Sequence, residues 1–207
     1  MRAQSHLSRE PVVVIGGDAA GMSAASKIRR EQPERPIVVF ERTAHTSYSA
    51  CGIPYYISGL VENADALVAR SPETFRQKYA IDVRTNHEVT DVDIEGRRVR
   101  VRAPSGDAEF WEPYGELLIA TGALPVWPDL PGGRANGIFG LSTLASGIAV
   151  HRYRHREPPR TAVIVGGGYI GDGRGTGRAV RLRLAGSSCS PAHQCLERAA
   201  PQLVPPA

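Results

Sequence analysis

Residues 12–25 of the chain read VVVIGGDAAGMSAA, and this stretch decides the fold. It opens with four β-branched residues in a row, which is typical of a strand buried on both faces of a parallel sheet. A glycine-rich run follows, and small or apolar residues then recur at Ala20, Ala24 and Ile28, at the spacing of one helix face. The stretch therefore predicts a strand, a tight turn and a helix.

A second strand completes a βαβ unit. Pro33 and Pro36 end the predicted helix, and the apolar run 37–40 that follows them leads into Glu41. Glu41 lies 20 residues beyond Gly21, where an acidic side chain can accept hydrogen bonds from a ribose diol. The N–H groups at the start of the helix attract a pyrophosphate. The unit is therefore predicted to bind the pyrophosphate and a ribose of a dinucleotide, and the alternative is an ordinary glycine-rich turn.

One position departs from the simple dinucleotide fingerprint, which has glycine in the middle of the turn. Asp18 stands at this position. Its carboxylate would repel a pyrophosphate that it faced. It could equally cap the helix with its side chain turned aside. The sequence leaves both interpretations open.

A single cysteine lies in the segment SYSACGIPYY, residues 47–56. A thiol at the start of a helix has a lowered pKa, which favours the nucleophilic thiolate. A dithiol reductase would carry a second cysteine in a CxxxxC spacing, but the positions five residues from Cys51 are Thr46 and Tyr56. Cys51 is therefore predicted to act alone, through a mixed disulfide or a sulfenic acid. The alternative is a small buried apolar side chain.

Composition argues against several classes of function. Most of the net charge of +4 comes from residues 172–207, which contain no aromatic residue, so this segment indicates a solvated basic tail rather than a nucleic-acid surface. No stretch approaches the ~18 apolar residues of a membrane span, and we expect no membrane partner. The cysteines are too few for a disulfide framework, so a cytoplasmic location is expected.

No metal site is predicted. Cys189, His193 and Cys195 fall short of the four ligands of a typical structural zinc site, and we interpret them as incidental. His151 and His155 lie among arginines and are interpreted as surface residues.

Further strands and one helix follow the first unit. The patterns predict a helix at 72–80 and strands at 81–84, 88–94, 99–101 and 117–120. A second strand-and-glycine unit opens at 162–171, but no helical pattern follows it. The composition changes abruptly at Asp172, which indicates a frameshift or another aberrant end.

These motifs together resemble the FAD-dependent pyridine nucleotide-disulfide oxidoreductases over residues ~11 to 171. More narrowly, they resemble the single-cysteine branch of coenzyme A-disulfide reductases, NADH oxidases and NADH peroxidases. The motifs are VVVIGGDAAGMSAA, VVFER, SYSACGIPYY, IATGALP and VIVGGGYIG, in the expected order.

The resemblance implies an α/β fold with a Rossmann-like, three-layer ββα FAD-binding domain that contains an antiparallel meander. The predicted domains are the N-terminal portion of the FAD-binding domain at 1–145, the start of an NAD(P)H-binding Rossmann unit at 160–171, and an aberrant, disordered tail at 172–207. The implied catalytic residue is Cys51. The implied cofactor-binding residues are Gly16, Gly17, Ala20, Gly21, Glu41, Arg42, Thr121 and Gly122 for FAD, and Gly166, Gly168 and Gly171 for NAD(P)H.

The resemblance also implies a reaction. Electrons would pass from NAD(P)H through FAD to Cys51, whose thiolate would attack coenzyme A disulfide or a similar small disulfide. The alternative is an NADH oxidase or peroxidase that acts on oxygen species through a cysteine sulfenic acid. Those members resemble one another in carrying a histidine in the first glycine-rich turn, and Ala19 at this position favours the disulfide reductase.

The family pattern stops after Gly171. Gly173 stands where the family has a glutamate, and the dimerisation domain of this typically homodimeric family has no counterpart in the sequence. We therefore expect this chain to be an impaired or inactive member. A non-catalytic remnant that at most binds FAD is a further alternative.

Overall fold

The computed structural model describes residues 10–104, 108–127, 129, 131–156, 159, 161–165 and 181–185. Contacts divide the chain into two compact units. The first contains Met1–Ser49 and Leu67–Ala123, and the second contains Ala50–Ala66 and Leu124–Ala207.

The strands are β1 (Val12–Ile15), β2 (Ile37–Glu41), β3 (Asp82–Thr85), β4 (Glu88–Asp93), β5 (Arg98–Arg102), β6 (Glu109–Pro113), β7 (Glu116–Ile119), β8 (Thr161–Val165) and β9 (Arg181–Ala185). The helices are α1 (Ala19–Glu31), α2 (Ile53–Ser58), α3 (Pro72–Tyr79) and α4 (Leu144–Arg156), with 3-10 turns at Ala50–Gly52 and Ala64–Leu67.

A parallel sheet of order β3-β2-β1-β7 forms the centre of the first unit. The chain leaves β1 towards β2 on one side and later returns to pair β7 on its other side. The carboxyl end of β1 is therefore a topological switch point, which is where open α/β sheets bind their ligands.

Alternate residues of β1 pack against different layers. Val12 and Val14 join Met22 of α1 and Phe75 of α3 in one core cluster. Val13 joins a second cluster with apolar residues of the antiparallel sheet β4-β5-β6. Because β1 is covered on both faces, it needs a continuous apolar run rather than an alternating one. The predicted three-layer ββα architecture with an antiparallel meander is confirmed.

The outer face of the antiparallel sheet carries a ladder of ion pairs. Arginines of β5 pair with carboxylates of β4, as Arg98 does with Asp93 at 2.9 Å and Arg100 with Asp91 at 3.1 Å. Arg98 also lies over the ring of Trp111 on β6, 4.4 Å from the ring centroid. Such exposed pairs contribute little stability individually, but opposite charges facing each other agree with the observed strand register.

The second unit contains α2 and α4, which pack against each other. A Cβ atom at Gly147 of α4 would lie 2.5 Å from Cγ2 of Ile53, so this glycine allows the close approach of the two helices. The guanidinium of Arg154 donates a hydrogen bond to the carbonyl oxygen of Ile57. Helix α2 ends at Gly59, whose φ of 83° is left-handed.

The second unit also contains elements that were not predicted. Helix α4 is one of them, and β9 is another, pairing with β8 in parallel inside the segment for which a disordered tail was expected. The predicted domain boundaries at 145, 160 and 171 and the predicted disorder of residues 172–207 are not tested and stay predictions. Among the described residues, no helix has the length and apolar character needed to cross a membrane.

Candidate functional site

Three glycines shape the turn between β1 and α1. Gly16 has a φ of 107°, and a Cβ atom there would collide with the carbonyl oxygen of Ala120. A Cβ atom at Gly21 would collide with the carbonyl oxygen of Gly16 and approach a Val14 methyl group to 3.1 Å. A Cβ atom at Gly17 would lie 2.9 Å from Cβ of Glu41. The turn therefore packs too closely for any side chain at these positions.

The N-terminus of α1 opens next to this turn. Ala19 and Ala20 are exposed, so the first turn of the helix is accessible to a ligand. Asp18 occupies the N-cap position, but its side chain makes no capping hydrogen bond. It accepts a hydrogen bond from the backbone N–H of Tyr48 at 3.3 Å instead. Asp18 therefore stands at the N-cap position with its side chain turned aside to Tyr48, as the second interpretation expected, although the side chain makes no capping hydrogen bond.

The environment of Asp18 disfavours its charge. Burial raises the pKa of the Asp18 carboxyl, and the nearby charge of Glu41 raises it further, against the lowering effect of the hydrogen bond from Tyr48. An anion placed at the start of α1 would lie near the two negative charges of Asp18 and Glu41 and would be repelled by them. The carboxylate is therefore a cost to pyrophosphate binding.

Glu41 is held beside the turn by three hydrogen bonds. Its Oε2 accepts from the backbone N–H of Gly17 at 2.8 Å. Its Oε1 accepts from the backbone N–H of Thr43 at 2.8 Å and from the Thr43 hydroxyl at 2.7 Å. A carboxylate offers about four acceptor sites, so Oε2 retains room for one more donor such as a ribose hydroxyl. The sequence did not identify Thr43 as the residue that orients this carboxylate.

An open cavity of about 490 Å³ lies next to Glu41 along the chain. Its volume is within the range of small-molecule sites. Its lining comes from Arg42, Thr43, Asn86, Glu88, Arg102, Ala103 and Pro104. Arg42 was a predicted cofactor residue, whereas the residues from β4 and β5 were missed because they are distant in sequence.

The segment after β7 adjoins the same turn. The N–H of Ala120 donates to the carbonyl oxygen of Ile15 at 2.8 Å, and Gly122 has a φ of 66°. The structure thus brings the glycine turn, Glu41 and the start of the Thr121-Gly122 pair to the carboxyl ends of β1, β2 and β7. The arrangement fits the ADP half of FAD, with an open helix start for phosphate and a free acceptor for ribose.

Cys51 lies in the second unit. It is exposed and unpaired, and it sits in the 3-10 turn Ala50–Gly52 directly ahead of α2. Its predicted place at the start of a helix is therefore confirmed, and its exposure contradicts the alternative of a small buried side chain. Gly166, Gly168 and Gly171 lie outside the described residues, and so do Cys189, His193 and Cys195.

Asp18→Asn should tighten ADP binding by about threefold to tenfold, because it removes a charge near the phosphates and keeps an acceptor for Tyr48. It should also stabilise the fold at pH 7. The raised folded-state pKa means that ionised Asp18 costs stability, and this cost disappears as the pH falls through that pKa towards 3.8. Thermal unfolding of both proteins between pH 7 and 4 and ADP titration at pH 7 measure these effects. Weaker ADP binding by the Asp18→Asn variant would contradict this view of Asp18.

Comparison with known proteins shows the family to which this chain is similar. A family model described as pyridine nucleotide-disulphide oxidoreductase matches residues 10–172. The NAD(P)H coenzyme A polysulfide/persulfide reductase of Pyrococcus horikoshii is 40% identical over 163 residues, covering 79% of this chain and 36% of that protein. The NADH oxidase of Methanocaldococcus jannaschii is 33% identical over 159 residues, covering 77% of this chain and 35% of that protein.

A solved structure shares the fold as well. Reduced Bacillus anthracis CoADR-RHD matches with a TM-score of 0.81 and 28% identity, covering 87% of this chain and 33% of that one. The chain spans about a third of the length of the relatives it matches. Most of the chain is matched by the family model, and the glycine turn and Glu41 lie within the matched part. The chain belongs to the pyridine nucleotide-disulphide oxidoreductase family.

Proposed function

We propose that this chain supplies the FAD-binding portion of an oxidoreductase that passes electrons from NAD(P)H through FAD to Cys51, which reduces coenzyme A disulfide or a similar small disulfide. FAD and NAD(P)H are the cofactors of the family to which the chain belongs. The observation that carries the proposal is the meeting of the glycine turn, Glu41 and Thr121 at one edge of the parallel sheet.

Each part of this edge has a role in the proposal. The start of α1 would hold the pyrophosphate, at Gly17 and Ala20. The free acceptor capacity of Glu41 would take a ribose hydroxyl, and the cavity beside Arg42 would take the adenosine end. When bound, FAD supplies reversible two-electron transfer.

The chain connection between the turn and the cysteine supports a thiol near the cofactor. The N–H of Tyr48 donates to Asp18 in the glycine turn. Three peptide bonds separate Tyr48 from Cys51, so covalent geometry keeps their Cα atoms within about 11 Å of each other. The exposed thiol is open to a substrate in solution.

The chemistry of Cys51 would run in two steps. Its thiolate attacks one sulfur of the small disulfide, so that a mixed disulfide forms and one thiolate leaves. Two electrons then cleave the mixed disulfide, which restores the Cys51 thiolate and releases the second thiolate. The two released thiolates take up two protons, and NAD(P)H is the source of the electrons.

The names of the relatives support this substrate class. The Pyrococcus horikoshii relative is named for coenzyme A polysulfide and persulfide, which share the sulfur–sulfur bond. The Methanocaldococcus jannaschii relative is named an NADH oxidase, which keeps oxygen as the second candidate acceptor. Within this chain, Ala19 in the first turn favours the disulfide. We further propose that Gly166, Gly168 and Gly171 bind NAD(P)H and that the protein is cytoplasmic. For the longer members of the family, which carry the dimerisation domain, we propose a homodimer.

The proposal is tested by the half-reaction that needs no NAD(P)H. The chain is loaded with FAD, its flavin is reduced by light without oxygen with EDTA as the sacrificial electron donor, and the reduced chain is mixed with coenzyme A disulfide. We expect the flavin absorbance to return, with two free thiols released for each flavin. A flavin that stays reduced with the disulfide and is reoxidised rapidly by oxygen would instead support the oxidase. A chain that retains no flavin would support the non-catalytic alternative.

A further inference from the structure

Two histidines of α4 face each other in the second unit. His151 and His155 are four residues apart and therefore lie on the same face of the helix. Their Nε2 atoms are 3.2 Å apart. The ring of His151 stacks on Tyr56 of α2 at a centroid distance of 4.4 Å and an interplanar angle of 19°. Tyr56 is buried, so it holds one of the two imidazoles against a fixed surface.

The separation of the two nitrogen atoms suits a shared metal ion. Imidazole nitrogen binds Zn²⁺ at about 2.0–2.1 Å, so two nitrogens 3.2 Å apart subtend an angle of about 100° at such an ion. This angle lies between the ~90° of square-planar and octahedral sites and the ~109° of tetrahedral ones. The two nitrogens lie at hydrogen-bond distance from each other, so the rings must turn until both lone pairs point at the ion.

We propose that His151 and His155 form a binding site for one divalent transition-metal ion of the zinc, nickel or copper class, with water in the remaining positions. Among the described residues, no group of three or more His, Cys, Asp or Glu side chains is placed to hold a metal, so these two imidazoles are the protein ligands. This inference is independent of the proposed redox function. It also departs from our sequence interpretation of both histidines as ordinary surface residues.

The helix that carries the pair is fixed in place before any metal binds. The guanidinium of Arg154 donates to the carbonyl oxygen of Ile57, and Gly147 packs against Ile53. Both contacts hold α4 against α2, and the stacking of His151 on Tyr56 adds a third. Preorganised ligands lose less conformational entropy on binding, which favours a measurable affinity from two protein ligands.

Positive charges on α4 oppose binding of a cation. They therefore allow binding at the histidine pair to be distinguished from nonspecific binding by its dependence on salt. Arg152, Arg154 and Arg156 lie on the same helix as the pair. Their positive charges repel a divalent cation, and salt screens this repulsion. The affinity should therefore rise modestly with ionic strength, whereas nonspecific binding to surface carboxylates would fall.

The experiment titrates Ni²⁺ into the full chain after its cysteines have been alkylated, so that thiolates do not compete. We expect one Ni²⁺ per chain and a rise in the melting temperature on binding. His155→Gln should weaken Ni²⁺ binding by at least about tenfold, since even changes behind the ligands cost metal sites about 10–100-fold. His193→Gln should leave the affinity unchanged.

A matched variant keeps the number of histidines and breaks their spacing. His155→Gln combined with Arg156→His puts the two imidazoles five residues apart, where they no longer share a helix face. This double variant should bind no better than His155→Gln alone, with unchanged helix content by circular dichroism. Binding that survives His155→Gln within about twofold, that is restored in the double variant, or that is lost in His193→Gln would overturn the proposal. So would the absence of any Ni²⁺ binding by the unmutated chain.

Discussion

Replacing Cys51 with serine is expected to reduce the rate of disulfide reduction by the FAD-loaded chain by at least about a thousandfold, the scale seen when a nucleophile is removed. A serine hydroxyl is not ionised near neutral pH and cannot form a mixed disulfide. Because the thiol is exposed and its turn makes no buried contact through the side chain, the fold should be unaffected.

The measurement is anaerobic reoxidation of the reduced flavin by coenzyme A disulfide, together with the amount of thiol released. Cys189→Ser and Cys195→Ser are the matched controls, and both should react at the rate of the unmutated chain. FAD affinity should be the same in all four proteins. A Cys51→Ser variant that still releases thiol at the original rate would show that electrons reach the disulfide without this sulfur.

Replacing Gly21 with alanine is expected to lower the free energy of unfolding by about 1–3 kcal/mol and to weaken FAD binding by more than about tenfold. The added Cβ atom collides with the carbonyl oxygen of Gly16, so either the turn or the start of α1 must move. Movement of α1 displaces the N–H groups that would face the pyrophosphate. Chemical denaturation and FAD titration measure the two effects separately.

Gly59→Ala is the control for this substitution. Gly59 has a positive φ, which Gly21 does not, but a Cβ atom at Gly59 would meet nothing within 4 Å. The alanine should cost about 1–2 kcal/mol of backbone strain and leave FAD binding unchanged. Equal losses of FAD affinity in the two variants would mean that the close contact at Gly21 does not shape the site.

The fold of the first unit could be predicted because its signals are local. A continuous apolar run at β1, the glycines after it, and the acidic end of β2 lie within one stretch of 30 residues from Val12 to Glu41. Each signal has one structural solution: a strand covered on both faces, a turn too tight for side chains, and a second parallel strand. The resemblance to the family rested on these signals together with the later motifs, and the family is confirmed.

Helix α4 could not be predicted because it lacks the apolar stripe that reveals most helices. Its buried residues are Leu144 and Gly147, and its contact with α2 depends on a glycine rather than on a row of large side chains. The sequence spacing of His151 and His155 was visible, but the orientation of the His151 ring depends on its stacking on Tyr56, which lies far away in sequence. Such contacts appear only once the chain is folded.

The sequence predicted only those parts of the candidate site that follow a local pattern. Gly16, Gly21 and Glu41 follow a known spacing, whereas Thr43 acts through its own hydrogen bonds to the Glu41 carboxylate. The cavity beside Arg42 combines the residues that directly follow β2 with residues from β4 and β5, and no local pattern connects them. The sequence therefore predicted the residues that we propose for the phosphate and ribose ends of the site, but not those that we propose for its adenosine end.

Titration of the chain with FAD, followed by competition with ADP, tests the dinucleotide site most directly. We predict one FAD bound per chain and full displacement by ADP. Glu41→Gln should weaken FAD binding by at least about tenfold, whereas Glu31→Gln, which breaks only an exposed pair with Lys27, should not. A chain that binds no FAD, or that binds FAD but does not release it to ADP, would contradict the assignment of this edge of the sheet as the cofactor site.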